Sequence, residues 1–320
     1  MKAGLRETMV EVMIEEAEKG KNLVVMVSDS TSTSKIQPFQ EKFPEKLVNV
    51  GIAEQNLIGA AAGMALGGMI PITANAAPFL ISRSNEQVKN DICYSNTNVK
   101  LVGLNPGFAY GPLGPTHHCI DDISIMRGFG NITIFAPQDP REVRALFRYL
   151  LSHEGPAYIR LDSLSCENLP GTSEIFKPGA LTFHRGGRGD DSDLAIICLG
   201  TASHAGLAAA ERLAAEGINA AVVGISSIRP IDKGALSAVM ASCGRILTVE
   251  EHSTHGGIGS LAAEVIAENG LSAILRRLAV PEGQFAPASP VPAIRKGYQL
   301  DSEGIVAATH AFLRETRKDD

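Results

Sequence analysis

Two hydrophobic rhythms alternate along the chain. Short apolar, β-branched runs recur at 22–28, 47–50, 69–73, 99–104, 132–137 and 157–161. They are nearly continuous in apolar residues, as strands covered on both faces are. Between most of them lie stretches with helical spacing, at 3–19, 53–66, 82–95, 119–128 and 140–151. A second alternation follows. Its strands are expected at 193–200, 219–225, 245–251 and 273–280, and its helices at 203–216, 233–241, 257–268 and 301–316. The pattern predicts an α/β fold: two tandem three-layer α/β/α domains with mainly parallel sheets. Residues 162–192 interrupt the rhythm with Gly, Pro and polar residues. The expected division is a first domain over 1–165, a linker over 166–190 and a second domain over 191–320.

Composition then narrows the function classes. The chain has 320 residues, 44% of them hydrophobic, and a net charge of -6. Single cores seldom grow much past ~250 residues, so two cores suit this length. Mild acidity and the lack of a Lys/Arg-rich run argue against nucleic acid as a partner. The start, MKAGLRETMVEVMIEEAEKG, reads as an amphipathic helix and not as a signal peptide. No apolar run approaches the ~18 residues of a membrane span. The cysteines Cys93, Cys119, Cys166, Cys198 and Cys243 are scattered and form no CxxC pair. That predicts free thiols in a reducing cytoplasm, not a disulfide framework or a zinc site.

One stretch carries candidate chemistry. Residues 51–68 read GIAEQNLIGAAAGMALGG, with a carboxylate, Glu54, at the mouth of a small-residue helix. Taken alone, Glu54 complements the helix dipole, which stabilises by ~0.3–1 kcal/mol. Other segments change that reading. GIAEQN resembles the glutamate motif of the transketolase family of thiamine diphosphate enzymes. GPLGPTHHCIDDISIMRGFGNITIFAPQDPREV (111–143) is similar to the family's G-x-x-G-[PA]-[ST]-H segment, its helix ending in Met-Arg and its strand ending in Pro-x-[DG]. SIRPID (227–232) and TVEEHSTHGGIGS (248–260) resemble the family's C-terminal domain. The resemblance covers nearly the whole chain in the family's order.

It implies a pyrimidine-binding domain followed by that C-terminal domain. Glu54 is then the acid that shares a proton with the 1′ nitrogen of the cofactor's aminopyrimidine. Such an acid needs a raised pKa, which an apolar setting supplies. His117 is the histidine near the substrate hydroxyls and the reactive carbon. Asp29 reaches the cofactor region, although a turn or cap aspartate fits equally. Phe79 stacks on the pyrimidine ring, although it also reads as an ordinary core residue, and Arg83 joins it as a cofactor-binding residue. Ala76 and Ser82 stand where transketolases often carry further aromatics. Arg6 contacts a substrate phosphate, or is a surface arginine. Thr33, Ser34 and Lys35 line the substrate mouth, with Lys35 equally readable as a solvated lysine.

Departures from the family pattern bear on the substrate. Asn105 stands where a phosphate-binding histidine is usual. Ser163, three residues beyond Arg160, stands where an arginine is usual, and Pro112 and Leu113 replace an acidic pair. Loss of a bidentate arginine weakens phosphate binding. The expected substrate is a sugar or sugar phosphate other than an ordinary pentose phosphate. The neighbours His118 and Cys119, and His252 with His255, invite a metal reading. Adjacent residues on one helix do not converge on one ion, so no metal site is expected in this chain.

The family's diphosphate motif, GDG, is missing, and RGDD (188–191) only approximates it. The resemblance therefore implies a partner: an N-terminal diphosphate-binding transketolase subunit that holds thiamine diphosphate's Mg²⁺ (or Ca²⁺), in an α2β2 heterotetramer. The implied activity is transfer of a two-carbon ketol unit from a ketose to an aldose. Alternatives are the beta subunit of a 2-oxo acid dehydrogenase's decarboxylating component and an enzyme like deoxyxylulose phosphate synthase. GPTHH fits transketolase better than the first. A non-catalytic regulatory subunit is the reading from another class, and the presence of both Glu54 and His117 argues against it.

Overall fold

The computed structural model describes residues 2–187 and 191–316, so Arg188, Gly189 and Asp190 of the RGDD stretch lie outside it. A seven-stranded sheet forms the first layer system. Its strands lie in the spatial order Ser227–Arg229, Thr133–Phe135, Ala157–Leu161, Lys100–Leu104, Ile70–Ala76, Leu23–Val27 and Leu47–Asn49. All but Ser227–Arg229 pair in parallel. Every residue of Leu23–Val27, Lys100–Leu104 and Ala157–Leu161 is buried, because helices cover both faces. Helices Leu5–Glu18 and Pro140–Leu150 set Leu5, Met9, Met13, Leu146 and Phe147 into the core on one face. On the other face, helix Glu54–Leu66 sets Leu57, Ile58 and Ala61 against Val24, Met26 and Leu101.

The second sheet has five strands, in the order Ile274–Val280, Arg245–Ser253, Leu194–Leu199, Ala220–Ile225 and Thr182–Arg185. The first four are mutually parallel and Thr182–Arg185 is antiparallel. Helices Ala202–Ala215, Lys233–Cys243, Ile258–Glu268 and Ser302–Thr316 accompany them. The architecture is thus two tandem, mostly parallel α/β/α domains. The core does not stop at their boundary: Ile134 and Ala136 share one cluster with Ile197, Leu199, Val223 and Ile225.

Several local readings change. The stretch expected as one helix over 82–95 is broken into Ala77–Ser82, Asn85–Gln87 and a wider turn over Val88–Tyr94. Ser and Asn are weak helix formers, and the Ser84 hydroxyl donates back to the Leu80 carbonyl at 2.5 Å. The helix expected over 119–128 shortens to Asp122–Arg127. The stretch read as linker contains the strand Thr182–Arg185, whose alternating burial is only four residues long. Ser227–Arg229, recognised as a motif of the second domain, crosses to the edge of the first sheet. Among the described residues, no helix is long and apolar enough to cross a membrane.

Candidate active site

The candidate residues gather beyond the carboxyl ends of adjacent parallel strands. This is where open α/β sheets place their sites. The turn after Leu47–Asn49 comes first. Asn49 Oδ1 accepts from Gly51 N at 3.0 Å and Asp29 N at 3.1 Å. Ser28 Oγ donates to Gly51 O at 2.8 Å and accepts from Ala53 N at 3.2 Å. Gly51 has a φ of +72°, which a side chain would strain. These bonds aim the start of helix Glu54–Leu66 into the site.

Glu54 is the first residue of that helix and is 2% exposed. Its Oε1 accepts from Asn75 Nδ2 at 3.2 Å, and its Oε2 meets Arg83 Nη1 at 2.6 Å. Asn75 comes from strand Ile70–Ala76, and Arg83 follows helix Ala77–Ser82. The same short helix carries Phe79. The Arg83 guanidinium lies 4.7 Å from the Phe79 ring centre. The ring of His117 meets Phe79 edge-on at 5.2 Å, and the Thr116 hydroxyl is 2.9 Å from His117 Nδ1. Glu54, Phe79, Arg83 and His117, scattered in sequence, therefore form one constellation.

The sign of the Glu54 shift corrects the sequence expectation. Burial pushes its carboxyl up, but the hydrogen bonds from Arg83, its own backbone and Asn75 outweigh this, and the net direction is down. The apolar helix alone does not set the acidity. Arg83, 29 residues away, is the first of the groups that lower it.

A second group forms beside the first. Arg6 Nη1 donates to Thr33 O at 2.8 Å and to Asn105 Oδ1 at 3.2 Å. Arg6 Nε is buried and without a partner among the described residues. Asp29, Lys35 and Asn105 all have positive φ, at 54°, 60° and 55°. Non-glycine residues in this region are strained, and such strain collects at functional sites. Ser30 Oγ donates to Ala74 O at 2.9 Å and the buried Ser34 Oγ does so at 3.3 Å, which holds the 30–35 loop on the strand that carries Asn75. Ser163 is half-buried beyond strand Ala157–Leu161. Asp29 is exposed and touches the Asn49 turn, not Glu54.

The loop carrying His117 is pinched at its base by paired backbone bonds between Gly107 and Cys119, at 2.8 and 3.0 Å. His118 points the other way from a metal ligand. Its Nε2 donates to Gly111 O at 3.0 Å, which leaves a buried Nδ1 with no partner among the described residues. No group of three or more metal-ligating side chains occurs among the described residues. Asn75 was not singled out from the sequence, and only its register beside Glu54 marks it.

Thiamine diphosphate has two halves, and these residues fit one of them. A buried acid beside an aromatic ring suits an aminopyrimidine, which needs a partner for a ring nitrogen and a flat apolar surface. A cavity of about 400 Å³ opens alongside, lined by Phe79, Arg83, Thr116 and His118 among others.

Comparison with known proteins identifies both domains. Residues 2–166 match the family profile "transketolase, pyrimidine binding domain", and 188–305 match "transketolase, C-terminal domain". The chain is 49% identical to one of the subunits of apulose-4-phosphate transketolase from Actinobacillus succinogenes, over 94% of this chain and 96% of that one. It is 34% identical to a 6-deoxy-6-sulfo-D-fructose transketolase subunit of a Clostridium species, over 96% and 93%. Its fold matches a solved split-gene transketolase, described as an inactive beta4 tetramer. That match has a TM-score of 0.84 and 33% identity, and covers 98% of this chain and 99% of the other.

Proposed function

The chain belongs to the transketolase family as the C-terminal half of a split, thiamine diphosphate-dependent enzyme, and from that premise we propose what its residues do. Ketol transfer by this half depends on a partner subunit that holds the diphosphate. Thiamine diphosphate, when bound, supplies the carbon nucleophile and the electron sink. Everything else below concerns this chain's own side chains.

The observation that carries the reading is the buried carboxyl of Glu54 beside Asn75, Phe79 and Arg83. In this reading Glu54 holds a proton at the pyrimidine ring nitrogen. Asn75 fixes the orientation of the carboxyl through Oε1. Arg83 gives up Oε2, and its half-exposed side chain can turn towards solvent or ligand. Once that cation leaves, only burial and weaker donors act on Glu54, and its acidity moves towards the protonated form the chemistry needs. Phe79 presents its ring to the pyrimidine. His117 donates or accepts a proton at the substrate's oxygens, oriented by Thr116. Arg6, Thr33, Lys35, Asn105 and Ser163 form the outer substrate subsite, with Asp29 at the cofactor rim.

The partner holds the diphosphate and its Mg²⁺, in an α2β2 assembly with two sites. A solved split-gene transketolase chain of the same extent, described as an inactive beta4 tetramer, supports a separate partner chain. Buried cysteines outside any disulfide, such as Cys93 and Cys198, suit a reducing cytoplasm. For the donor we take a phosphorylated ketose of the kind the 49% identical relative is named for, apulose 4-phosphate. The exposed Leu113 beside Pro112, in place of an acidic pair, supports a donor other than a plain pentose phosphate.

The test is native mass spectrometry of the chain purified with its partner, followed by ketol-transfer assays. Apulose 4-phosphate, 6-deoxy-6-sulfofructose and fructose 6-phosphate serve as donors. A heterotetramer with two thiamine diphosphates, most active on the first, is expected. A complex that decarboxylates pyruvate but cleaves no ketose would overturn the reading.

A further inference from the structure

The cavity lined by Phe79 and Arg83 is not built by the first domain alone. Its wall includes Pro78, Phe79, Arg83, Pro115, Thr116 and Asp121, but also Phe285 and Ala286. The last two belong to the second domain, on the segment that follows strand Ile274–Val280. That segment is held against the His117 loop at several points. Ser289 N donates to Gly111 O at 3.3 Å. A Cβ on Gly114 would sit 3.0 Å from the Cβ of Ala288, so the two segments touch there. Beneath, Phe108 of the same loop stacks on Tyr298 with ring centres 5.8 Å apart, and Phe108 and Ile120 belong to the second domain's apolar cluster.

Phe285 stands out within this segment. Ala286 next to it is 1% exposed and anchors the chain, while Phe285 is 76% exposed. The turn before it closes by Gln284 N donating to Pro281 O at 3.2 Å, with Gly283 at a φ of +73°. A large ring is thus held out of the core beside an anchored residue, and it lines the same cavity as Phe79 and Arg83. Arg83, Thr116 and Asp121 bring polar groups to the same cavity, among the apolar side chains of Phe79, Pro115 and Ile120. A cavity that mixes apolar rings with a few polar groups suits a molecule with hydroxyl-bearing and C–H surfaces, which is what a sugar chain presents.

We propose that the second domain supplies a wall of the substrate entrance, with Phe285 as the side chain on which the carbon chain of the sugar rests. The proposal rests on the ketol-transfer reading above. It makes Phe285 a specificity-determining residue that acts on binding, not on the chemistry at Glu54 or His117.

The test uses the complex assembled with its diphosphate-binding partner. Apulose 4-phosphate serves as donor, with glyceraldehyde and glyceraldehyde 3-phosphate compared as acceptors. Phe285→Ala, an exposed position, is expected to raise the KM for sugar by about 5–10-fold with kcat changed less than about twofold. Phe285→Leu keeps an apolar contact and should recover most of the loss. Assembly mass and thiamine diphosphate affinity should match the wild type in both. An unchanged KM overturns the proposal. So does a KM that rises only because the complex or its cofactor is lost, since Phe285 then serves the subunit contact. If the wild-type complex transfers no ketol group, the functional reading itself fails. An active wild type with a silent Phe285→Ala fails this inference alone.

Discussion

Glu54 in the first domain and Glu250 in the second are both buried at helix N-termini, and they behave oppositely. Glu54 is 2% exposed at the start of helix Glu54–Leu66. Glu250 is 0% exposed and lies on strand Arg245–Ser253, with its carboxylate over the start of helix Ile258–Glu268. Glu250 Oε2 accepts from Ile258 N at 2.7 Å and Oε1 from Gly259 N at 2.8 Å. Those are good bonds, and yet burial pushes Glu250 up to about 7. Glu54 has a guanidinium at 2.6 Å and goes down. Around Glu250, two backbone donors and the charges of Arg160 and Arg277 do not offset desolvation, whereas around Glu54 the Arg83 guanidinium, together with a backbone bond and Asn75, does. The lesson concerns control. Glu250 is locked, since its donors are main chain in a packed core. Glu54 is adjustable, since the group that sets it is a half-exposed side chain.

If this contrast is right, the largest effect belongs to Glu54 and is chemical. Glu54→Gln keeps the shape, accepts from Arg83 through its carbonyl and cannot carry the shared proton. Ketol transfer by the assembled complex should fall by about 10²–10⁴-fold, the range for loss of a positioned acid or base. Assembly and cofactor content should persist, checked by native mass spectrometry beside the steady-state rate. A rate within a few-fold of wild type would falsify the role given to Glu54.

Glu250 should show the reverse: little effect on the intrinsic rate, a clear effect on stability. In Glu250→Gln one backbone N–H loses its acceptor, which costs about 1–3 kcal/mol when the group is buried. The pH dependence carries the sign. The folded value, about 7, lies above the ordinary glutamate value, so the folded state holds the proton longer than the unfolded one. Its contribution is complete below the ordinary value of ~4.3 and is lost as pH rises through about 7. The wild-type advantage over Glu250→Gln should therefore shrink between those limits in denaturant titrations. A difference that stays flat across that window would mean Glu250 is ionised throughout.

How much of this was legible beforehand follows the same division between local and distant. The place of Glu54 was readable because strand, turn and helix are contiguous in VNVGIAEQN, and Gly51 supplies the positive φ the turn needs. The sheet cores were readable because LVVMV and LAIICL are apolar throughout. The direction of the Glu54 shift was not, because Arg83 comes from another element and nothing local announces the contact. For the same reason Glu250 read only as part of the strand over 245–251. Its role appears once a Cβ on Gly257 is seen to fall 2.0 Å from its Oε2, so that only glycine admits the carboxylate. Ser227–Arg229 was identifiable as a motif, while its crossing to the other domain's sheet depends on pairing with Thr133–Phe135 nearly a hundred residues earlier. Thr182–Arg185 was hidden by its length and by the glycines around it.

The smallest effect, and the one that bears most directly on the contrast, is Arg83→Met. Removing the cation leaves Glu54 with burial, its own backbone bond and Asn75, so its pKa should move up relative to the wild type. In the wild type the lowered value means a stabilisation present above the ordinary glutamate value and lost as pH falls through the folded one. The variant should lack that acid-side loss. The stability difference at neutral pH should be under about 1 kcal/mol, because the arginine side chain is 45% exposed and solvent screens the pair. A carbon-detected titration of the Glu54 carboxyl in the isolated chain reads the shift directly, and denaturant unfolding at neutral and acid pH reads the linkage. If Glu54 titrates at the same pH in both proteins, Arg83 does not set it. The two glutamates would then differ for some reason other than the cation.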